Sequence, residues 1–418
     1  MRGAGAAELP REVRVLAVIA FVVALGFGIV APAIPLFASA FGVGTTAVGL
    51  AVSAFAFFRF VSAFAGGSLV ERLGERSVLT IGLLVVALTT GAAGLAGSFP
   101  VFLALRAAGG TGSAMFTVAA LSLLLRVAPP AHRGRATATW QGGFVLGAIA
   151  GPAFGGVLTE LSPRLPFLLY AGFLFIAGAV GLALLRPPEV VAAEGSAPAG
   201  DAPAVRDLAP GPVGVRAALR TRRYVTALVV NLGVGWVLFG VRNSVVPLYV
   251  TENLGRTAAW AGAGLFAGSA AQALALLGSG RLADTWGRRP ALLLGTGLAT
   301  AAMSVLVLPP ALGAFLAAMA VLGLGASLLS SVPAALVADV SAGRGGRAVA
   351  VFQMSSDLGA IAGPLAAGWL ADTASFRAAF ALSAVVLGAG LLAAVALPTA
   401  RKVTARERDP ARRRTEDA

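Results

Sequence analysis

Long apolar stretches, separated by proline, glycine or charged residues, recur along the whole chain. A helix that crosses the ~30 Å hydrocarbon core of a membrane needs roughly 20 mostly apolar residues, and these stretches have that length. The pattern therefore predicts twelve transmembrane helices in two sets of six. The first set lies near residues 14–37, 46–69, 77–97, 100–126, 135–159 and 165–185. The second set lies near residues 224–250, 257–280, 289–308, 312–338, 347–370 and 375–397.

The segments around these two sets suggest the domain boundaries. We expect residues 1–185 to form an amino-terminal six-helix bundle and residues 224–400 a carboxy-terminal one. Residues 186–223 are rich in proline, alanine, glycine and arginine, which is typical of a flexible linker, here predicted to be cytoplasmic. Residues 401–418 form a charged tail that we expect to be disordered and cytoplasmic.

The composition excludes several classes of protein. Apolar residues make up 58% of the 418 positions and charged residues 12%, which is too little polar surface to coat a soluble globule. The chain has no cysteine, and its single histidine, His132, lies in a predicted loop, so we expect no disulfide, thiol chemistry or metal site. It also lacks the Gly-x-x-x-x-Gly-Lys-Ser/Thr loop that cradles nucleotide phosphates. We therefore expect neither an enzyme nor a bound cofactor.

The net charge of +14 could indicate a nucleic-acid partner, but the basic residues lie between the apolar stretches, as in proteins that use them to fix membrane orientation. With the amino terminus placed inside, the outside loops hold only Arg164, Arg256 and Arg377. Both termini are therefore predicted to be cytoplasmic, with lipid around the helices and no nucleic acid bound. The single lysine, Lys402, and the frequent alanine and glycine are typical of a high-GC bacterial genome, which places the chain in the plasma membrane.

The two halves contain an internal repeat. One motif recurs at a constant offset of 213 residues, with Gly67, Glu71, Gly74 and Arg76 matched by Gly280, Asp284, Gly287 and Arg289. A second stretch, Gly-Ala-Ile-Ala-Gly-Pro, stands at residues 147–152 and again at 359–364, an offset of 212. A duplicated six-helix unit related by an axis along the membrane normal is the signature of one transporter architecture.

At these residues the sequence resembles the major facilitator superfamily. The Gly-x-x-x-Asp/Glu-x-x-Gly-x-Arg motif stands twice, and Arg106 with the glycines after it is similar to that family's helix-four motif. The end of helix five, Gly151-Pro152-Ala-Phe-Gly155-Gly156, is similar to a motif of bacterial twelve-helix drug:proton antiporters. The resemblance implies an all-α membrane protein of two pseudo-symmetric six-helix bundles that works by alternating access. We expect it to act as a monomer on a small-molecule substrate.

The resemblance also implies a gating role for the charged residues of the repeated hairpin motif, namely Glu71, Arg72, Arg76, Asp284 and Arg289. The alternative is that these charges only fix the orientation of the chain in the membrane. Helices five and eleven carry a second candidate set for conformational change, because glycines at small-x-x-x-small spacing allow close approach and proline loosens a helix. This set comprises Gly147, Gly151, Pro152, Gly155, Gly156, Gly359, Gly363 and Pro364. Static packing would explain the same glycines equally well.

Charged residues inside the membrane are expensive, roughly 2.5–3.5 kcal/mol each on insertion scales. Four stand within the predicted helices: Arg59, Arg106, Arg242 and Asp357. The equivalent positions of the other repeat are uncharged: Gln272, Met319, Val30 and Val145. The repeated six-helix unit therefore does not require the four charges. We expect them to serve substrate recognition or coupling, with structural ion pairing as the alternative.

Similar depth along neighbouring helices predicts a bridge between Arg59 and Asp357 that breaks or re-forms during transport. Asp357 is the candidate proton-binding group, and the more peripheral Asp339 is the other acid available. Many proton-driven exporters carry an acid in helix one or four, whereas residues 15–37 and 101–125 contain none, so proton coupling stays open.

Uncharged polar residues could line the substrate pocket or form hydrogen bonds between helices. They are Gln141, Asn231, Asn243, Gln272 and Gln353, with Trp140 and Trp236 as candidate aromatic walls. The leading function is export of a small hydrophobic or amphiphilic compound. The alternatives are uptake of a small metabolite, such as an anion attracted by Arg106 and Arg242, and a transporter-like sensor that binds without transport.

Overall fold

The computed structural model describes residues 9–129, 132–185, 218–341 and 346–398. These residues are helical, with short turns and no strand among them. Most of the predicted linker, residues 186–217, and the predicted tail, residues 401–418, lie outside the described residues.

Twelve long helices follow one another along the described chain. In the first half they are α1 (Arg11–Ser39, interrupted at residues 31–32), α2 (Thr45–Leu73), α3 (Glu75–Gly94), α4 (Phe99–Val127), α5 (Arg133–Leu161) and α6 (Leu165–Leu184). In the second half they are α7 (Arg222–Asn253), α8 (Ala258–Trp286), α9 (Arg288–Val305), α10 (Leu312–Ser341), α11 (Gly346–Thr373) and α12 (Phe376–Val395). Ten of them are long and apolar enough to cross a membrane, and the more polar α9 and α11 pack among those ten. The predicted twelve-helix fold is confirmed.

The observed helices differ from the predicted ones in two ways. Helices α2 and α8 continue to Leu73 and Trp286, so each hairpin turn shrinks to one glycine, Gly74 or Gly287. Helix α7 contains two π-helical segments, Gly235–Val241 and Tyr249–Asn253, which the apolar pattern does not predict because a π turn leaves composition unchanged.

Equivalent pairs of helices pack together in the two halves. In the first half α1 packs on α5, α2 on α4, and α3 on α4 and α6; in the second half α7 packs on α11, α8 on α10, and α9 on α10 and α12. Each half has its own core of buried apolar side chains. We call these halves the N bundle and the C bundle.

The outer surface is apolar. Leu161, Leu274, Leu277 and Leu392 are each more than 70% exposed, at 72%, 72%, 84% and 71%. Such large exposed apolar side chains need an apolar medium, which lipid supplies.

The helices end at two opposite faces of the molecule, the hairpin face and the distal face. The hairpin face carries the turns at Gly74 and Gly287, and the distal face carries the α1–α2, α5–α6, α7–α8 and α11–α12 connections. The distribution of basic residues predicts that the hairpin face is cytoplasmic.

Candidate functional site

The two bundles meet along the helix pairs α2–α11 and α5–α8. The Ser53 hydroxyl of α2 donates to the carbonyl of Ile361 in α11 at 2.6 Å, as expected for neighbouring helices. Arg59 and Asp357 lie on this same helix pair, and Arg59 is the cation whose charge acts on Asp357. No N···O contact within 4 Å joins them among the described residues. The predicted bridge is therefore not closed in this structure and stays a prediction for another state.

Asp357 is the only acid among the described residues that lies well away from both ends of its helix. It is half-buried, whereas Arg59 is exposed. Asp339, the other candidate for proton binding, is 42% exposed near the end of α10 and forms an ion pair with Arg288 at 3.6 Å. Asp339 therefore has a structural partner on the hairpin face, and among the described acids Asp357 is left as the one inside the helix bundle.

Arg106 is buried inside the N bundle, with 5% of its side chain exposed. Its guanidinium carbon lies 4.5 Å from the centre of the Phe55 ring, and Tyr170 of α6 is close enough to interact electrostatically. Its Nε has no hydrogen-bond partner. A guanidinium over an aromatic face is stabilised by the ring quadrupole, which offsets part of the cost of burial.

Arg242 follows directly after the first π-helical segment of α7. One Nη donates to the Ser269 hydroxyl at 2.6 Å and to the Leu265 carbonyl at 3.1 Å, both on α8. No carboxylate among the described residues lies within 4 Å of Arg242 or Arg106. Arg106 and Arg242 therefore have no acidic partner within ion-pair distance among the described residues.

Several predicted pocket residues instead hold the C bundle together. The Asn231 amide donates to the Phe352 carbonyl at 2.6 Å and to the Ser355 hydroxyl at 3.2 Å, and Trp236 Nε1 donates to Ser383 at 3.2 Å. The Asn243 amide donates within its own helix to the Phe239 carbonyl at 3.2 Å. For Asn231 and Trp236 the alternative of hydrogen bonding between helices describes the contacts, whereas Asn243 bonds within its own helix.

The remaining polar and aromatic candidates are less constrained. Gln141 and Gln353 are exposed, and Gln272, the repeat partner of Arg59, is half-buried. Trp140 is buried against Phe144, with the ring centres 5.1 Å apart, and its indole N–H has no partner. These side chains stay predictions as pocket residues.

The repeated hairpin motif makes equivalent contacts in both bundles. Gly74 and Gly287 have φ values of 77° and 96°, which only glycine adopts without strain. The Arg76 guanidinium donates to the Leu182 carbonyl near the end of α6, and that of Arg289 donates to the Val395 carbonyl at the end of α12, at 2.9 Å. Each arginine thus satisfies a free carbonyl of a helix terminus in its own bundle.

The other residues of the hairpin motif make no described contact between the two bundles. Glu71 and Arg72 are exposed on the last turn of α2. The surroundings of Gly67 and the side chain of Asp284 lie outside what the structure describes, and a Cβ on Gly280 would meet nothing within 4 Å. The gating role of the motif stays a prediction, since the described arginine contacts remain within one bundle.

The glycines of α5 and α11 allow helices to touch. A Cβ at Gly147, Gly151 or Gly155 would collide with the backbone of α1, and one at Gly359 or Gly363 with that of α7. These contacts lie within the bundles. Gly156 instead faces the other bundle, because a Cβ there would meet Ala258 and Gly262 of α8. The motif therefore serves packing within a bundle and contact between bundles.

Sequence reasoning missed the residues that surround the charges and those that join the bundles. Phe55, Tyr170 and Ser269 carry no motif, and only the fold places them beside arginines. Glu160 and Asp372, which contact the opposite bundle, stand 212 residues apart. Extending the repeat offset to acids at helix ends would have found this pair.

Comparison with known proteins agrees with this architecture. The "Major Facilitator Superfamily" sequence profile matches residues 16–243 and again 237–416. The chain is 27% identical over 173 residues to the "Quinolone resistance protein NorA" of Staphylococcus aureus, and 28% identical over 169 residues to "Multidrug resistance protein 1" of Bacillus subtilis. These alignments cover 40% of this chain and only 44% and 43% of those proteins, less than half of their length.

A solved structure shares the fold over most of its length. It is the inward-facing, unoccupied form of a bacterial homolog to the human lysosomal transporter Spinster, with a TM-score of 0.75 and 16% identity over 92% of this chain and 96% of that one. The two matching halves of the family profile, the paired bundles and this shared fold agree with one another. The chain is a multi-pass membrane protein that belongs to the Major Facilitator Superfamily, whose members are transporters and not enzymes.

Proposed function

We propose that this chain exports a small hydrophobic or amphiphilic compound by alternating access, in exchange for protons. The observation that carries the proposal is the position of Asp357. Asp357 is a half-buried acid far from either end of α11, and the positive charge of Arg59 acts on it. It lies on the α2–α11 helix pair, which joins the two bundles. An acid at a boundary whose halves move can bind a proton in one state and release it in the other.

The direction of transport is supported by similarity. The relatives in Staphylococcus aureus and Bacillus subtilis bear the names of quinolone and multidrug resistance proteins. We propose that this chain likewise acts outward, as a monomer in the plasma membrane, with both termini and the hairpin face in the cytoplasm. A reporter fused to the carboxy terminus that is active only inside the cell tests this orientation.

A second candidate function is uptake of a small anionic metabolite. It is favoured by Arg106 and Arg242, which lie in the membrane interior with no carboxylate within 4 Å among the described residues. An unpaired buried cation is costly, and an anionic substrate group would offset that cost.

The test compares these candidates in cells that express the protein and in cells with an empty vector. Accumulation of fluorescent amphiphiles, matched in size and either cationic or anionic, is measured with and without a protonophore. If the protein exports the probes, expressing cells should accumulate less of them than control cells. The protonophore should remove this difference. Higher accumulation of the anionic probes would instead support uptake. Binding of a probe to the purified protein without any flux in proteoliposomes would support the sensor alternative and contradict both.

A further inference from the structure

One carboxylate of the C bundle caps a helix of the N bundle on the distal face. Asp372, at the end of α11, accepts hydrogen bonds from the Thr45 N–H at 2.7 Å, the Thr46 N–H at 2.8 Å and the Thr46 hydroxyl at 2.6 Å. Thr45 is the first residue of α2. The first N–H groups of a helix have no partner within the helix, and a carboxylate both satisfies them and complements the helix dipole. The carboxylate thereby joins the end of α11 in the C bundle to the start of α2 in the N bundle.

The second bundle boundary repeats this arrangement. Glu160, at the end of α5, accepts a hydrogen bond from the Ala259 N–H at 3.0 Å, and Ala259 is the second residue of α8. Glu160 and Asp372 are 212 residues apart, and Thr46 and Ala259 are 213 apart, which are the offsets of the internal repeat. The carboxylate cap is therefore a feature of the duplicated unit and occurs once at each boundary.

Glycines bring the helices close enough for these caps. A Cβ at Gly368 would collide with Thr45, and a Cβ at its repeat partner Gly156 would collide with Ala258. One turn deeper, a Cβ at Gly49 would meet the carbonyl of Pro364, and a Cβ at Gly262 would meet the carbonyl of Pro152. The glycines thus require close contact at two levels of each boundary, and the carboxylate caps lie beyond them toward the distal face.

We propose that Asp372 and Glu160 form a pair of latches that hold the distal face closed, and that both must release before this face can open. This inference rests on the proposed alternating access and not on the nature of the substrate. The caps join helices of different bundles, so relative movement of the bundles has to break them. The Asp372 latch, with three hydrogen bonds, is the stronger of the two, because the Glu160 latch has one.

Distance measurements between spin labels test the latches. The chain has no cysteine, so introduced cysteines are the only labelled positions. The exposed Ala40 and Ala374 serve as a pair on the distal face (Ala40→Cys and Ala374→Cys), and the exposed Ser77 and Thr285 as a pair on the hairpin face (Ser77→Cys and Thr285→Cys). The purified full chain is measured without substrate, so the result does not depend on whether an amphiphile is exported.

Asp372→Asn removes the negative charge and replaces one of the two accepting oxygens with an NH2 donor, so it is expected to raise the distal-open population about tenfold, because hydrogen bonds to a charged group are stronger than neutral ones. The distal pair then moves apart while the hairpin pair moves together. Glu160→Gln and Thr46→Val, which each affect one hydrogen bond, should shift the populations less. Asp339→Asn, on the hairpin face, is the matched control.

Two outcomes would overturn the proposal. Unchanged distances in Asp372→Asn and Glu160→Gln would make the caps irrelevant to closure. Broadening of both label pairs together would mean that the variants loosen the fold and do not release a latch. If Asp372→Asn cannot be purified, Thr46→Val still tests the Asp372 latch. It leaves both carboxylates in place and removes only the hydrogen bond from the Thr46 hydroxyl.

Discussion

The guanidinium of Arg242 lies against Gly268, at 4.0 Å from the point where a Cβ would stand. Gly268 is the repeat partner of Phe55, and a Cβ there would also meet Met319, the repeat partner of Arg106. Since Arg106 lies over Phe55, each bundle holds one guanidinium in the equivalent region between equivalent helices. The two arginines come from α4 and α7, so sequence alignment of the repeats hides this equivalence. A Cβ at 268 would lie only 2.9 Å from the Met319 carbonyl, so the close approach of α8 and α10 requires glycine there.

The contact between Arg106 and Phe55 predicts a stability effect. Phe55→Leu keeps an apolar side chain and removes the aromatic face, so the free energy of unfolding should fall by about 1 kcal/mol. Phe58→Leu, one turn along α2 and 43% exposed, is the matched control and should change little. Thermal unfolding of the purified variants measures both. Equal losses in the two variants would show that Arg106 gains nothing from the Phe55 ring.

The hairpin face contains an ion pair that recurs with its signs reversed. Glu75 and Arg126 are 3.1 Å apart in the N bundle, and their repeat partners Arg288 and Asp339 are 3.6 Å apart in the C bundle. Because the fold accepts both orientations, the double change Glu75→Arg with Arg126→Glu should restore the stability that Glu75→Arg alone loses. The loss should be about 1 kcal/mol or less, since these groups are partly exposed. A double variant no more stable than the single one would refute the pairing.

The glycines of α5 predict a sharp contrast within one helix. A Cβ at Gly147 would collide with the Phe21 carbonyl and the Leu25 amide of α1, whereas a Cβ at Gly142 would meet nothing within 4 Å. Gly147→Val should therefore abolish the folded, monodisperse protein, while Gly142→Val should leave its yield nearly unchanged. Both carry the same change in helix propensity, so the difference reports packing. Size-exclusion chromatography after expression gives the answer, and similar profiles would contradict the close packing of α1 and α5.

The position of Asp357 predicts where proton coupling resides. Asp357→Asn removes the only acid among the described residues that lies far from a helix end, so transport against a gradient should lose its dependence on the proton gradient. Downhill exchange of substrate should survive, because the amide mimics the protonated acid. Asp339→Asn is the control and should keep its coupling, since Asp339 pairs with Arg288 near a helix end. Coupled transport by Asp357→Asn would exclude this residue as the proton site.

Much of the architecture could be predicted because it depends on properties that the chain carries locally. The length of the apolar stretches gave the twelve helices, and the repeat offset gave the two bundles. The turn glycines Gly74 and Gly287 were also predictable, since the motif places them between helices. The π-helical segment before Arg242 was not, because its extra residue per turn is stabilised by packing against α11 and has no composition of its own.

The candidate site was predicted in its residues but not in their partners. Arg59 and Asp357 were identified as charges on neighbouring helices, yet their side chains do not close into an ion pair in this structure. Asn231 was a candidate for the substrate pocket, and the fold gives its amide to the backbone of α11. Polar residues in membrane helices read alike in sequence, because pocket lining and interhelical bonding require the same donors and acceptors.

By itself the sequence determined the medium, the number of helices and the duplication, because hydrophobic length and repeated motifs are encoded within short segments of chain. Tertiary structure alone decided which ends meet. Asp372 reaches Thr45 across 327 positions of sequence, and Glu160 reaches Ala259 across 99. Such pairs form because packed helices bring free N–H groups beside carboxylates in space, and neither partner carries a local signal of the other.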